Sequence, residues 1–579
     1  MRPLRASLCV AAALAAAWFG ARALRADPSP AAPASPANAP IAPAAPAAPT
    51  EPAVAPVAAD HVYTGCAESP DDVNPLTAAG AVARRLVLAR THDGLLAADP
   101  ATGDLVPAAA ERFDVAADGS ACTFTLRQGL RFADGSEVTL DDVLLPWELA
   151  QAGHLALGFV GEAMARIATV DRVGERAVRV TFRDRHFAAV RIVGEAWLVV
   201  SRRVFVQRVA ERAAPEPPPA VGSAAFAALL AQIRSECGPG TGPYRLDNAP
   251  AGQQDWRPRQ DLLLRRNEHS WQRRTDPQAW TFGGIRILFR DQAAATNELF
   301  AGALDWFSSQ SLPALLRARP VLTADDRLLS YDYDALGVYR VAWNVRRGAL
   351  ADVRVRRALA RLFDVASLRE GNEGLGAVAV AHCKPSAPEC PKDLTPPRFD
   401  PEAARAELRA AGFDPAAGTP LRLVLLAPVG TEVLQRIVDL FADACRQAGV
   451  ELDLRQREFA AYVQEQQAGA WDGLLALQSF RSWGDPWDLL HSEGTENFGG
   501  YRNAEVDRLA DAARVEPDAE ARAQRWQELH RLVFADQPAA LLVHPLASIL
   551  LHRRIEGAVV GRRGLSLVHA RVAAPSPGK

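Results

Sequence analysis

Lysine is nearly missing from this 579-residue chain: of 65 basic residues only Lys384, Lys392 and Lys579 are lysine, a bias to which no function attaches. Net charge is −3, so no strongly basic surface exists to attract nucleic acid or anionic lipid. After Gly20 no apolar run approaches the ~20 residues that span a bilayer. Signatures of common catalytic sites are missing too: there is no G-x-S-x-G elbow, no H-E-x-x-H and no Walker A loop. Gly238-Pro239-Gly240-Thr241-Gly242 is glycine-rich, but strand-like Pro243-Tyr244-Arg245-Leu246 follows where a phosphate loop needs a helix. No paired C-x-x-C occurs. His382, Cys383 and Cys390 lack a fourth nearby ligand, so neither a metal nor another cofactor is expected, and the chain does not read as an enzyme.

The length and the 49% hydrophobic, 23% charged composition are those of a globular protein with two or more domains. Arg2 and Arg5, the apolar run Leu8–Gly20 and the small-residue site Ala21-Arg22-Ala23 predict an export signal over residues 1–26. An uncleaved N-terminal anchor is the alternative. Cys9 opens the apolar run instead of following it, which excludes it as a lipidation site. Residues 27–60 are almost only Pro and Ala and read as an extended tether.

Export changes the reading of the cysteines. Cys66, Cys122, Cys237, Cys383, Cys390 and Cys445 then face an oxidising compartment. A local Cys383–Cys390 disulfide is expected inside a proline-rich loop. Cys445 falls on a helical stripe as a buried thiol, and the pairing of Cys66, Cys122 and Cys237 stays open.

The first half is strand-rich: Cys122–Leu126 alternates before a turn at Gln128-Gly129, and Val178, Val180 and Phe182 alternate with Arg179 and Thr181. The second half alternates strand and helix. Asp352 caps an amphipathic helix, and Asp400-Pro401-Glu402 opens another that Gly412 closes. Leu421–Leu426, Val450–Leu454 and Leu474–Leu477 are strands, and Leu434 to Ala448 is a helical stripe. This series predicts an α/β lobe with a mostly parallel sheet.

Several segments in this order resemble the family 5 extracellular solute-binding proteins, which include oligopeptide-, dipeptide- and nickel-binding components of ABC importers. They are Asn74-Pro75-Leu76, Thr91-His92-Asp93-Gly94-Leu95-Leu96, and the run ADGSACTFTLRQGLRFADGSEVTLDDV from Ala117. Gly240-Thr241-Gly242-Pro243-Tyr244, Leu264–Trp271 and Ala301-Gly302-Ala303-Leu304-Asp305 follow. DVRVRRALARLFD from Asp352, FDPEAARAELRAAGF from Phe399 and FGGYRNAEVDRLADAAR from Phe498 complete the set. The resemblance runs from about Val62 to Gly557. It implies a mixed α/β, periplasmic-binding-protein-like two-lobe clamp of type II, with an extra inserted subdomain and a hinge crossed twice. Lobe I would be 61–336, with the insertion at about 95–199, returning over 545–579; lobe II would be 337–544. The implied function is capture of a short peptide in the periplasm by a monomer that hands it to an ABC permease complex in the inner membrane. A non-peptide guest in the same fold and a membrane-tethered sensor are the alternatives, an exported hydrolase a remote one.

The candidate site follows from the end of a strand. Leu474–Leu477 runs into Gln478-Ser479-Phe480-Arg481-Ser482-Trp483-Gly484-Asp485-Pro486, and α/β lobes gather ligands beyond strand carboxyl ends. In peptide-binding relatives this segment pairs with the peptide, and an Asp holds its α-amine; here that position is Ser482. Serine accepts a hydrogen bond from an ammonium without neutralising it, so either Asp485 or another acid substitutes, or the guest lacks a free amine. Arg481 is a bidentate site for a carboxylate or phosphate. Phe480 and Trp483 add aromatic surface. The resemblance places Gly80, Ala81 and Val82 on the opposite lobe, where small side chains let another backbone approach. Tyr339, Trp343 and Asn344 line the cleft or pack, and His544 at the second crossing is equally ambiguous. Arg481→Ala should weaken ligand binding and leave the thermal midpoint in place; unchanged affinity would remove Arg481 from the site.

Overall fold

The computed structural model describes residues 62–67, 69–100, 102–158, 160–247, 255–309, 327–334, 337–370, 375–480, 484–561 and 564–573. The expected leader and tether lie outside them. Among the described residues, no helix is long and apolar enough to cross a membrane.

One strand organises the whole. Ala539–His552 (AALLVHPLASILLH) is 14 residues long, about 45 Å at ~3.3 Å per residue. Its first part pairs antiparallel with Tyr339–Ala342. Its second part pairs antiparallel with Leu328–Asp334 on one side and with Trp306–Ser309 on the other. Leu328–Asp334 and Gly337–Trp343 succeed one another in the chain, so the backbone passes between the two halves here and again along the long strand. Through this strand, among the described residues, a 13-stranded sheet becomes continuous.

The half containing Val62–Ala67 has its own core, with Tyr63, Leu86, Phe124, Trp197, Phe205, Phe226 and Ile285 inside. A separate four-stranded antiparallel sheet joins it, in the order Ala110–Val115, Ala121–Leu126, Ala177–Phe182, Ile167–Val173. Phe124, Val178 and Val180 alternate along it and are wholly buried against that core.

The other half packs the helices Val353–Ala360, Pro401–Ala410 and Glu432–Ala448 on its sheet. The predicted caps Asp352 and Asp400 accept hydrogen bonds from the backbone N–H groups of Arg354 and Ala403, and Thr431, not singled out from sequence, accepts from that of Leu434. Gly449 ends the long helix at φ 77°, a conformation that favours glycine. One expectation needs correction. Among the described residues of this half, the strands are parallel only across Glu451–Arg457, Arg422–Pro428 and Gly473–Ser479; Gly337–Trp343 runs antiparallel to Gly473–Ser479. Helical crossovers build the parallel block, whereas the hinge strands must run in opposite senses because the chain goes out on one and returns on the other.

Cys383 and Cys390 are a second correction: both are buried free thiols, not a bridge. The hydrogen bond from Cys383 holds Cys390 below the usual thiol range, and burial pushes Cys383 up. Cys122, Cys237 and Cys445 are also buried free thiols.

His92 in the first half and His530 in the second are 2% and 1% exposed, and burial lowers both imidazoles to about 3. Neither carries a charge in the fold, and each takes a proton on unfolding below its ordinary value of ~6.5. The sign follows: their contribution to stability is whole above about pH 6.5 and is lost as pH falls toward about 3. The urea midpoint should therefore hold steady above ~6.5 and decline below it. His530→Leu, with no proton to take up, should decline less steeply; equal slopes would remove His530 as a cause.

Candidate functional site

Gly473–Ser479 (GLLALQS) is buried at its start and more exposed toward its end. It finishes beside the joint, where Ser479 pairs with Gly337 at the start of the crossing strand. Glycine is required there, because a Cβ on residue 337 would lie 2.9 Å from the Gln478 carbonyl oxygen. Pro545 lies within the long strand nearby and brings no N–H to its ladder, and the register shifts between Tyr339 and Arg340. His544 bridges this weak point: its Nδ1 donates to the Gly337 carbonyl at 2.9 Å. The ring of Phe480 stands 5.9 Å from that of His544, tilted by 60°. Gly337, Phe480 and His544 thus converge where the strand Gly473–Ser479 ends.

A buried polar line starts next to them. Arg340 is 5% exposed and donates from Nη2 to Gln478 Oε1 at 3.0 Å, while Gln478 Nε2 donates to Glu496 Oε2 at 2.8 Å. His382 Nε2 lies 3.4 Å from Arg340 Nη1. Burial lowers the guanidinium to about 10, and burial with the Arg340 charge holds His382 well below its ordinary value. His382 is therefore neutral and accepts from Arg340. His382 and His530 line a cavity of about 20 Å³, enough for one water.

Asp485 lies on the far side of the segment. Its Oδ1 accepts from the Trp487 backbone N–H at 2.9 Å. Its Oδ2 accepts from Arg514 Nε at 2.8 Å and from His186 Nε2 at 3.0 Å. Burial works to raise this carboxyl, but the His186 bond and the Arg514 charge outweigh it and hold the group below the usual carboxylate range. Its side chain is 3% exposed.

The remaining predicted residues lie elsewhere. Arg481, Ser482 and Trp483 fall outside the described residues. Gly80 accepts from the Arg84 backbone N–H, and Ala81–Ala83 is a helical turn leading into a π-helical turn at Arg84–Leu88, with Val82 buried. Tyr339 and Trp343 belong to the core of the α/β half; the Trp343 ring stands 6.4 Å from both Phe363 and Phe441. Asn344 bridges backbone, donating to the Gly469 and Trp471 carbonyls. His186, Arg340 and Arg514 were not singled out from sequence. Arg340 alone carried a signal, as a charge inside an otherwise apolar strand.

A groove of about 640 Å³ opens at the other end of the parallel block, lined by Arg347, Arg422, Glu451 and Asp453 among others. It lies where the strands begin, opposite the ligand end expected of such a sheet.

Two bodies sharing one sheet through two crossing strands define a periplasmic-binding-protein-like two-lobe clamp. Residues 104–499 match the family model for bacterial extracellular solute-binding proteins, family 5 Middle. The chain belongs to this family of binding proteins, the class that serves ABC importers. It is similar to the oligopeptide-binding protein AppA of Bacillus subtilis, 22% identical over 76% of this chain and 78% of AppA. The structure of AppA with a nonapeptide matches at a TM-score of 0.67 and 20% identity, covering 86% of this chain and 95% of that one. The probable deoxycholate-binding periplasmic protein YgiS of Escherichia coli is 26% identical over 86% of this chain and 91% of YgiS. HbpA2 from Haemophilus parasuis matches at a TM-score of 0.73 and 18% identity, over 89% of this chain and all of that one.

Trp343 tests packing against recognition. Trp343→Ala should lower stability by roughly 3–5 kcal/mol in urea titrations and leave ligand affinity per folded molecule unchanged; a selective loss of affinity would place the ring in the cleft.

Proposed function

We propose that this chain is the substrate-binding component of an ABC importer that captures a short peptide in the periplasm and delivers it to the membrane permease. A leader over residues 1–26 exports it. Lobe I is 61–336, with an inserted subdomain at about 95–199 and a return over 545–579; lobe II is 337–544. The observation that carries the reading is the strand Gly473–Ser479, which ends beside the joint between the two halves, where clefts that enclose a ligand form. AppA, named for oligopeptides and solved with one, supports a peptide guest.

One observation favours a second reading. Both oxygens of Asp485 already have partners within the chain, and Ser482 carries no charge, so neither neutralises a guest's ammonium group. That favours a guest without a free amine, and a relative named for deoxycholate keeps such molecules in range.

Thermal unfolding with short peptides and their N-acetylated counterparts separates the two. A ligand at a hundred times its Kd stabilises by ~2.7 kcal/mol. Unmodified peptides alone should raise the midpoint under the first reading, and acetylated peptides equally under the second. If neither class does, the peptide reading falls, and mass spectrometry of molecules released on denaturation names the guest.

A further inference from the structure

We infer that His186, Asp485 and Arg514 form a latch between the four-stranded subdomain and the α/β half, with His186 and Arg514 acting as positioning residues for the segment that ends at Pro486. The inference rests on the two-lobe fold and on no particular guest.

His186 follows Ala177–Phe182, the third strand of the separate four-stranded sheet. Asp485 lies beyond the strand Gly473–Ser479, and Arg514 is the last residue of the helix Ala504–Arg514. The His186–Asp485 contact joins residues 299 apart in the chain, and the two side chains are 1% and 3% exposed. The backbone takes part as well: Phe187 N–H donates to the Arg514 carbonyl at 2.8 Å, and the Arg522 guanidinium lies 4.3 Å from the centre of the Phe187 ring.

The proton assignment is determined by the bonds. Ala188 N–H donates to His186 Nδ1 at 3.0 Å, so the proton sits on Nε2 and points at Asp485. The imidazole is therefore a neutral donor. Arg514 belongs to the same half as Asp485, so their ion pair survives if the lobes part. Opening loses the His186 and Phe187 contacts without leaving a carboxylate uncompensated, which makes the contact reversible.

Acid works against it. A second proton would displace the Ala188 bond and set a cation beside Arg514 and Arg166. The charged groups around the contact are Arg166 with Asp184, Arg514 with Asp485 and Asp488, and Arg522 with Glu389 in reach. Burial lowers the His186 imidazole despite Asp485, so the latch is whole above ~6.5 and weakens as pH falls below it.

The test is small-angle scattering of the mature chain, stripped of any guest by unfolding and refolding. His186→Phe keeps the ring stacked on Phe187 and deletes the donor; His186→Gln keeps an N–H for Asp485. At neutral pH the Phe variant should show a larger radius of gyration than the wild type, and the Gln variant should stay compact. Circular dichroism melts confirm that all three chains are folded. A Phe variant as compact as the wild type overturns the inference, as does a Gln variant that expands equally. If the Phe variant does not fold, the wild type alone decides: expansion as pH falls below ~6.5 supports the latch, and a radius that stays constant down to the onset of acid unfolding overturns it.

Discussion

Two halves of this molecule share one hydrogen-bonded ladder, and that sharing constrains everything else. The long strand Ala539–His552 gives its first residues to one half and its last to the other. A continuous ladder would make a rigid plank. Pro545 withholds a donor, and the register shifts nearby, so the plank is weakened at the crossing. His544 and Gly337 tie that point together by a side-chain bond. The two cores on either side are apolar and separate, so bending at the joint disturbs neither.

Charge is handled in the same spirit. Buried ionic groups near the recognition segment are compensated inside the chain: Asp485 by Arg514 and a neutral histidine, Arg340 by Gln478 leading to Glu496. A buried charge left without such partners costs several kcal/mol. The residues on either side of 481–483 are thus held by polar contacts already made within the chain.

Much of the fold was legible because local rules wrote it. Asp352, Asp400 and Gly449 stop and start helices by capping chemistry that needs only near neighbours. The stripe from Leu434 to Ala448 and the alternation of Val178, Val180 and Phe182 follow the periods of helix and strand. The expectation of a mostly parallel sheet erred where the hinge strands enter, since strand direction there depends on a return over some two hundred intervening residues. The disulfide expectation came from spacing and compartment, but proximity along the chain does not settle bond formation, and the cysteines lie together as thiols.

At the candidate site, the strand that ends at Ser479 was legible and the partners around it were not. Sequence alone determined the helix starts at Asp352 and Asp400, the α/β alternation and the family's ordered motifs, because each is a property of residues close together in the chain. Tertiary structure decided that Trp343 packs against the stacked pair Phe363 and Phe441, and that Asp485 meets His186 and Arg514. It also decided that His544 closes the joint at Gly337. Those pairings depend on how two separately packed bodies are brought against each other, and no spacing or periodicity encodes a contact between residues hundreds of positions apart.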